Sequence, residues 1–262
     1  MQLSISILAA GLKFFMFQGV EARDGEILVA TLDGDLLRVG LDGTITPWVN
    51  IINFGVPNGM IALGDRIGVV VSAQESGHAL IEIGRDGKAS QLVDFAGLAG
   101  EFGAPFDLTI HRGDRPYYLV TIATDVVRTG GVIARVTPAG KVSLVTQLAN
   151  TPFCIDSYQN QILLTQDNGQ VMSILPSGRS RLVADLKTAG LGVSLGITHR
   201  QQQWLLSTTE GWIVNLAPDG TLTPLINIAK AGLGMPTTLA WFDQEGCLIA
   251  ATGEGNLLRI DL

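Results

Sequence analysis

Carboxylates in a shared setting are the first residues in this 262-residue chain that could do chemistry. Asp33 and Asp35, Glu75, Asp125, Asp167, Glu210 and Glu254 each follow a short apolar run. Several sit in a local Thr-x-Asp/Glu-Gly pattern (TLDGD, TTEG and TGEG, with TQDNG close to it). A second set precedes or begins short apolar segments: Gln18, Asn58, Asp107, Pro152-Phe153, Ser194 and Thr237-Thr238. Gathered on one face, the acids would sum to a negative potential that favours a cation, or a cationic or polyhydroxylated ligand. Crowding would raise their pKa values. The plain alternative is that Asp, Glu and Gly are ordinary hairpin-turn residues whose side chains are solvated.

The elements that must position these groups come from an internal repeat. An alternating apolar run ends in a small-residue turn at Asp42-Gly43, Asp86-Gly87, Ala139-Gly140, Ser177-Gly178 and Asp219-Gly220. The glycines are 44, 53, 38 and 42 residues apart. One further period of about 42 residues beyond Gly220 lands near Leu262. Within each period a first apolar segment (GMIAL, DLTIH, CIDS, LGITH, TLAWF) is followed by a second strand ending in a small or hydroxyl residue, at Thr31, Ser72, Thr165, Thr208 and Thr252. A tight turn, a third strand, the glycine turn and a fourth strand complete the unit. Four short β-rich runs per period is the spacing of propeller blades.

The chain is therefore expected to be all-β: a six-bladed β-propeller with four antiparallel strands per blade, a single domain over 1–262. The Ala-Gly-Leu at 10–12 lies after QLSISIL as it does after related segments at 96–98, 189–191 and 231–233. Residues 2–9 are expected to close the last blade as its fourth strand, beside three strands within 238–261. Such 3+1 closure removes two open sheet edges. In that ring the first strands line a central channel. Loops entering them, and turns from second to third strand, open on one face; the glycine turns lie on the other.

Net charge is −7, from 24 acidic and 17 basic residues, with no Lys/Arg cluster. Nucleic acid is an unsuitable partner, because phosphate neutralisation needs a basic surface, and anionic membrane surfaces are disfavoured likewise. The N-terminal apolar run lacks a basic stretch before it, so it reads as a strand rather than a leader; a soluble, cytoplasmic protein is expected. Cys154 and Cys247 fall in blades four and six, which are not neighbours, so both are expected as free thiols. His111 and His199 lie on first strands and are the imidazoles that could activate a thiol; a small buried hydrophobe is the ordinary role of such cysteines. There is no GxSxG, HExxH, P-loop or CxxC. Trp241 falls on a first strand, while Phe14, Phe15, Phe17, Phe102, Phe106 and Phe153 fall in or near entering loops. The connectors 94–106 and 123–131 are the decorations expected to shape a pocket.

The segments VPNGMIALGDRIGVVV and GGVIARVTPAGKVSLV resemble the calcium-dependent six-bladed propellers that include gluconolactonases and regucalcin, with strictosidine synthase and NHL-repeat proteins as cousins. The resemblance implies a divalent cation, Ca or Mg, at the channel top. Asn58, in Pro57-Asn58-Gly59, matches an Asn ligand position, and Asp107 is implied as a second ligand or as the base that activates water. This sequence departs from the pattern elsewhere: Gln18 stands for a ligand Glu, and Ser194 or Thr238 for an Asp. An oxygen-rich calcium site uses ~6–8 oxygens, so Asn58 and Asp107 alone would make a weak one.

Three functions stay open. One is small-molecule binding, in an accessory role to a metabolite pathway, at the channel mouth with Gln18, Asn58, Asp107, Ser194, Thr238, Asp33, Asp167, Glu210 and Glu254 as ligand contacts. Another is a metal-dependent lactonase or hydrolase at the same place, with Asp107 catalytic. The third is a scaffold that binds a protein partner without catalysis.

Overall fold

The computed structural model describes all residues except 1–2, 15–18, 24, 74–77, 97, 99–102, 114, 125–129, 160 and 176–177. Its strands make six four-stranded sheets, each antiparallel. The chain opens with β1 (Ser4–Ala9), which belongs to the last blade. Blade one holds β2 (Val20–Arg23), β3 (Glu26–Ala30), β4 (Asp35–Val39) and β5 (Ile45–Asn50). Blade two holds β6 (Val56–Leu63), β7 (Arg66–Ser72), β8 (Ala79–Ile83) and β9 (Ala89–Asp94). Blade three holds β10 (Ala104–His111), β11 (Tyr117–Ala123), β12 (Gly131–Val136) and β13 (Val142–Leu148). Blade four holds β14 (Pro152–Tyr158), β15 (Gln161–Gln166), β16 (Gln170–Ile174) and β17 (Ser180–Asp185). Blade five holds β18 (Ser194–Arg200), β19 (Gln203–Thr208), β20 (Trp212–Leu216) and β21 (Leu222–Asn227). Blade six joins β22 (Pro236–Phe242), β23 (Cys247–Thr252) and β24 (Leu257–Asp261) to β1.

The first strands touch in cyclic order, β2 to β6, β10, β14, β18, β22 and back to β2. The ring is closed where the sequence places the closure. β1 pairs with β24 from Ser4↔Asp261 to Ala9↔Leu257, and the Ser4 hydroxyl donates to Asp261 Oδ2 at 2.9 Å.

Burial follows position in the blade. Second strands such as ILVA of β3, LLTQ of β15 and CLIAAT of β23 are buried along their length, because both faces of the sheet are covered by neighbouring blades. That is why they read as continuous apolar runs rather than alternating ones. Fourth strands are largely exposed, as in β5 and β17. Between blades two and three a polar tie crosses the packed layer: buried Glu82 accepts from the Tyr118 hydroxyl at 2.9 Å and pairs with Arg66 at 2.7 Å.

The repeat glycines have a specific task. Every fourth strand carries a β-bulge against its third strand, leaving Leu8, Trp48, Leu92, Val145, Val183 and Leu225 without a cross-strand partner. Bulges of this kind bend an edge strand and terminate its pairing. The glycine turn of the next blade then seats on the bulged carbonyl. A Cβ on Gly178 would lie 2.5 Å from Val145 O, and one on Gly220 2.6 Å from Val183 O, and both residues have φ near +80 to +90 (79° and 90°). Glycine answers both demands, the left-handed backbone and the absent side chain.

Candidate functional site

A cavity of about 460 Å³ is lined by residues of all six first strands. Its lining includes Gly64, Arg112 and Asp243, which follow the ends of β6, β10 and β22, so it extends to the face that carries the turns from first to second strand. The sequence reading placed the site toward the opposite end. Neither Asn58 nor Ser194, which lie near the beginnings of their strands, is among the described lining residues.

Inside the cavity a ladder of side-chain hydrogen bonds passes from blade to blade. Asp107 on β10 accepts from its neighbour Leu108 N at 2.8 Å through Oδ1, and from Ile155 N on β14 at 3.0 Å through Oδ2. One step on, Asp156 on β14 accepts through Oδ1 from Ser157 N at 2.7 Å and from the Thr109 hydroxyl at 3.2 Å. Its Oδ2 meets His199 Nδ1 on β18 at 2.7 Å. A carboxylate can only accept, so Nδ1 carries the proton and Nε2 of the neutral ring holds the lone pair. The next rung is Trp241 N of β22, which donates to Thr198 Oγ1 at 3.1 Å. The His199 ring is held further by Tyr158, with centroids 4.7 Å apart, and by the edge of Trp204 at 5.8 Å.

These contacts set the electrostatics. Asp107 is half-buried and faces the cavity, and burial pushes its carboxyl up to about 7; the two amide donors oppose the shift and the charge of Asp156 adds to it. For His199, burial works downward, but the hydrogen bond and charge of Asp156, with Asp243 beyond, outweigh it and the net shift is upward. The Cys154 thiol also lines the cavity, and burial followed by the Asp107 charge pushes it well up. A thiol so raised is a poor nucleophile. Both cysteines are free and buried.

The residues singled out in the sequence divide. Asp107 and Thr238 line the cavity. Asn58 is 8% exposed, and its amide nitrogen donates to Ser72 Oγ and to Pro105 O of the next blade, both at 2.8 Å. Ser194 is fully buried and its hydroxyl donates to Gly196 O at 3.0 Å. Gln18, Glu75 and Asp125 lie outside the described residues, as do Phe15, Phe17 and Phe102. The hydroxyls on or near the ends of second strands stitch the first-strand bulges to the next blade: Thr121 Oγ1 accepts from Asp107 N and donates to Phe153 O, each at 3.0 Å, and Ser207 Oγ donates to Thr237 O.

The described acids of the outer turns, Asp33, Asp35, Asp167, Glu210 and Glu254, do not line the cavity. Asp33 pairs with Lys13, and Asp35 Oδ1 accepts from Asn50 Nδ2 at 2.7 Å. Glu254 Oε2 accepts from Met235 N at 2.8 Å. Asp167 and Glu210 offer their backbone carbonyls to Lys187 (3.4 Å) and Asn227 (2.9 Å). The recurrent threonine closes its own turn: Thr208 and Thr252 hydroxyls accept from Trp212 N and Asn256 N at 3.2 Å. Thr-x-Asp/Glu-Gly thus sits in the turns from second to third strand, where the threonine hydroxyl closes the turn.

The sequence reading passed over Asp156, Thr109, Thr198, Arg112 and Asp243, and noticed His199 only as a partner for a thiol. A signal was present. The bonded pairs are about one repeat apart: 47 residues for Thr109–Asp156 and 43 for both Asp156–His199 and Thr198–Trp241. Aligning the first strands by repeat places a carboxylate beside an imidazole.

The described donors do not assemble a divalent-cation site. Asn58 sits between two blades and is not among the cavity-lining residues, and both Asp107 oxygens accept backbone N–H groups. Among the described residues no three His, Cys, Asp or Glu side chains converge for a metal. No described helix is long and apolar enough to cross a membrane.

In sequence the chain matches no family profile and no curated protein. Solved structures place it among propellers. A gluconolactonase from Xanthomonas campestris superposes with TM-score 0.78 at 16% identity, covering 98% of this chain and 89% of that one. A glucose dehydrogenase gives 0.76 at 12% identity, covering 98% of each. A catalytically inactive His-to-Ala virginiamycin B lyase from Staphylococcus aureus, with quinupristin, gives 0.66 at 15% identity over the whole of both chains. At such identities the likeness is one of fold: an all-β, six-bladed propeller, as the repeat and the resemblance implied.

Proposed function

We propose that the chain is a small-molecule-binding propeller whose ligand occupies the central channel, against Asp107, Asp156, His199 and Thr238. The observation that supports it is the 460 Å³ cavity, whose wall combines charged and hydroxyl groups with apolar side chains. Small-molecule sites usually measure about 300–1,000 Å³. The test is a thermal-shift screen of neutral and polyhydroxylated metabolites, lactones included, on the wild-type chain and on Thr238→Trp, which fills the channel. A ligand that binds only the folded protein raises its Tm. The reading predicts hits that vanish in Thr238→Trp; hits that persist there would move the site elsewhere.

A second reading, hydrolysis at the same place, is favoured by Asp107, a cavity-facing carboxyl pushed up to about 7, in the range where acid–base chemistry works at neutral pH. The fold likeness to a gluconolactonase agrees with it only weakly, since fold does not carry activity. Its divalent-cation version lacks a fitting set of described donors, and stabilisation by Ca or Mg that is lost in Asp107→Asn would restore it.

A further inference from the structure

We propose that His199 is the general base of a water-mediated hydrolysis of small neutral carboxylic esters in the channel, with Asp156 as its positioning residue. The inference rests on the channel-binding reading above and adds a reaction and a substrate class to it.

Three observations carry it. First, the imidazole is part of the cavity wall and is oriented by a carboxylate 2.7 Å from Nδ1, which leaves Nε2 as the basic nitrogen. Second, the orienting carboxylate is itself fixed, by Ser157 N and the Thr109 hydroxyl, so the pair is held from three successive blades. Third, no other hydrogen bond is made by the His199 ring among the described residues. A base positioned by a third group is the arrangement that activates a hydroxylic nucleophile.

The substrate class follows from charge. Glu21, Asp107, Asp156 and Asp243 line the same cavity, against Arg112 and His199 as the basic groups. An anionic substrate would meet net repulsion there, so a neutral ester is the fitting acyl compound. In the reaction Nε2 takes a proton from water and the resulting hydroxide bonds to the acyl carbon. As the tetrahedral adduct collapses, the carbon–alkoxy bond breaks and the imidazolium returns the proton to the leaving alkoxide. One water and one ester give one acid and one alcohol, and the ring ends as it began. Arg112, near enough to act on the His199 charge, supplies positive potential to the developing oxyanion.

The groups that face His199 are Asp156 and Tyr158 from blade four, Trp204 from its own blade, Asp243 from blade six and Arg112 from blade three. Since the acids prevail and hold its pKa up, the rate should rise with pH through a value above the ordinary histidine one. Asp156→Asn should move that limb to lower pH and reduce kcat more than it changes KM. A residue of merely structural importance would not move the limb.

The experiment uses the full chain with p-nitrophenyl butanoate for turnover and its amide analogue, N-(4-nitrophenyl)butanamide, for binding by thermal shift. Saturable hydrolysis by the wild type is expected. His199→Gln should lose about 100-fold in kcat/KM while still binding the amide, and His111→Gln, away from the cavity, should match the wild type. If His199→Gln does not fold, the Asp156→Asn pH profile decides. Binding of the amide without any ester turnover, turnover in His199→Gln within twofold of wild type, or an unmoved limb in Asp156→Asn would overturn the inference and leave the binding reading standing. No amide binding by the wild type would remove both for this class of ligand.

Discussion

The carboxylates of the outer turns and those of the channel are the same functional group on the same repeat, yet they do different things. Asp33, Glu210 and Glu254 sit at the tips of second-to-third strand turns, where water solvates them and a turn needs only a polar residue of suitable conformation. Asp107 and Asp156 sit in the middle of first strands, where the nearest groups belong to the next blade and nothing solvates them fully. A carboxylate kept in that setting must be satisfied by fixed donors, which give it a defined direction, and burial pushes the Asp107 carboxyl up against them. Recurrence along the chain thus marks the turns, while pairing across the repeat marks the side-chain contacts of the channel.

The largest effect that would sharpen this contrast is the removal of Asp156. Asp156→Ala leaves Thr109, Ser157 N and His199 without their acceptor, and the expected loss is about 2–3 kcal/mol, below the full cost of breaking a buried pair because His199 is partly exposed. The His199 share has a known sign. Its folded pKa is raised, so that contribution is complete below the unfolded value of about 6.5 and fades as pH rises through the folded one. Urea titrations at pH 5.5 and 8.5 should therefore show the larger loss at the lower pH.

Next comes the pH dependence of Asp107. Its folded carboxyl is pushed up to about 7, so between the unfolded value of about 3.9 and that point the folded state holds the extra proton. Stability should fall as pH rises across this window. Asp107→Asn should flatten the fall, seen as a smaller difference in Tm between pH 4.5 and 7.5 than the wild type gives. An unchanged slope would mean that Asp107 is ionised by its two amide donors and sits with the outer acids after all.

The smallest effects belong to the turns. Glu210→Ala is expected within about 0.5 kcal/mol of wild type, as for an exposed turn position. Glu254→Ala should cost about 1 kcal/mol, because its carboxylate accepts from Met235 N and that hydrogen bond is lost. A loss at Glu210 as large as that at Asp156 would break the comparison.

The fold was legible because the residues that build it recur where backbone geometry demands them. Gly178 and Gly220 mark the turns that seat on bulged carbonyls, and the buried second strands announce themselves as unbroken apolar runs. The site was legible only in part. Asp107 stood out as an acid beginning an apolar strand and does line the cavity. Asn58 stood out through a family motif, but its amide spans two blades. Asp156 lay unremarked inside CIDS, because its partner is 43 residues away and adjacency between blades is a property of ring closure rather than of any local window.

The Asp156–His199 pair joins blades four and five at the channel wall, and the chain has three histidines, so the imidazoles can be resolved and assigned. The direct measurement is an NMR pH titration of the ring nitrogens in the wild type and in Asp156→Asn. His199 should carry its neutral-form proton on Nδ1 and titrate above about 6.5, and the value should drop when Asp156 becomes Asn. An ordinary or lowered value in the wild type, or a proton on Nε2, would contradict it.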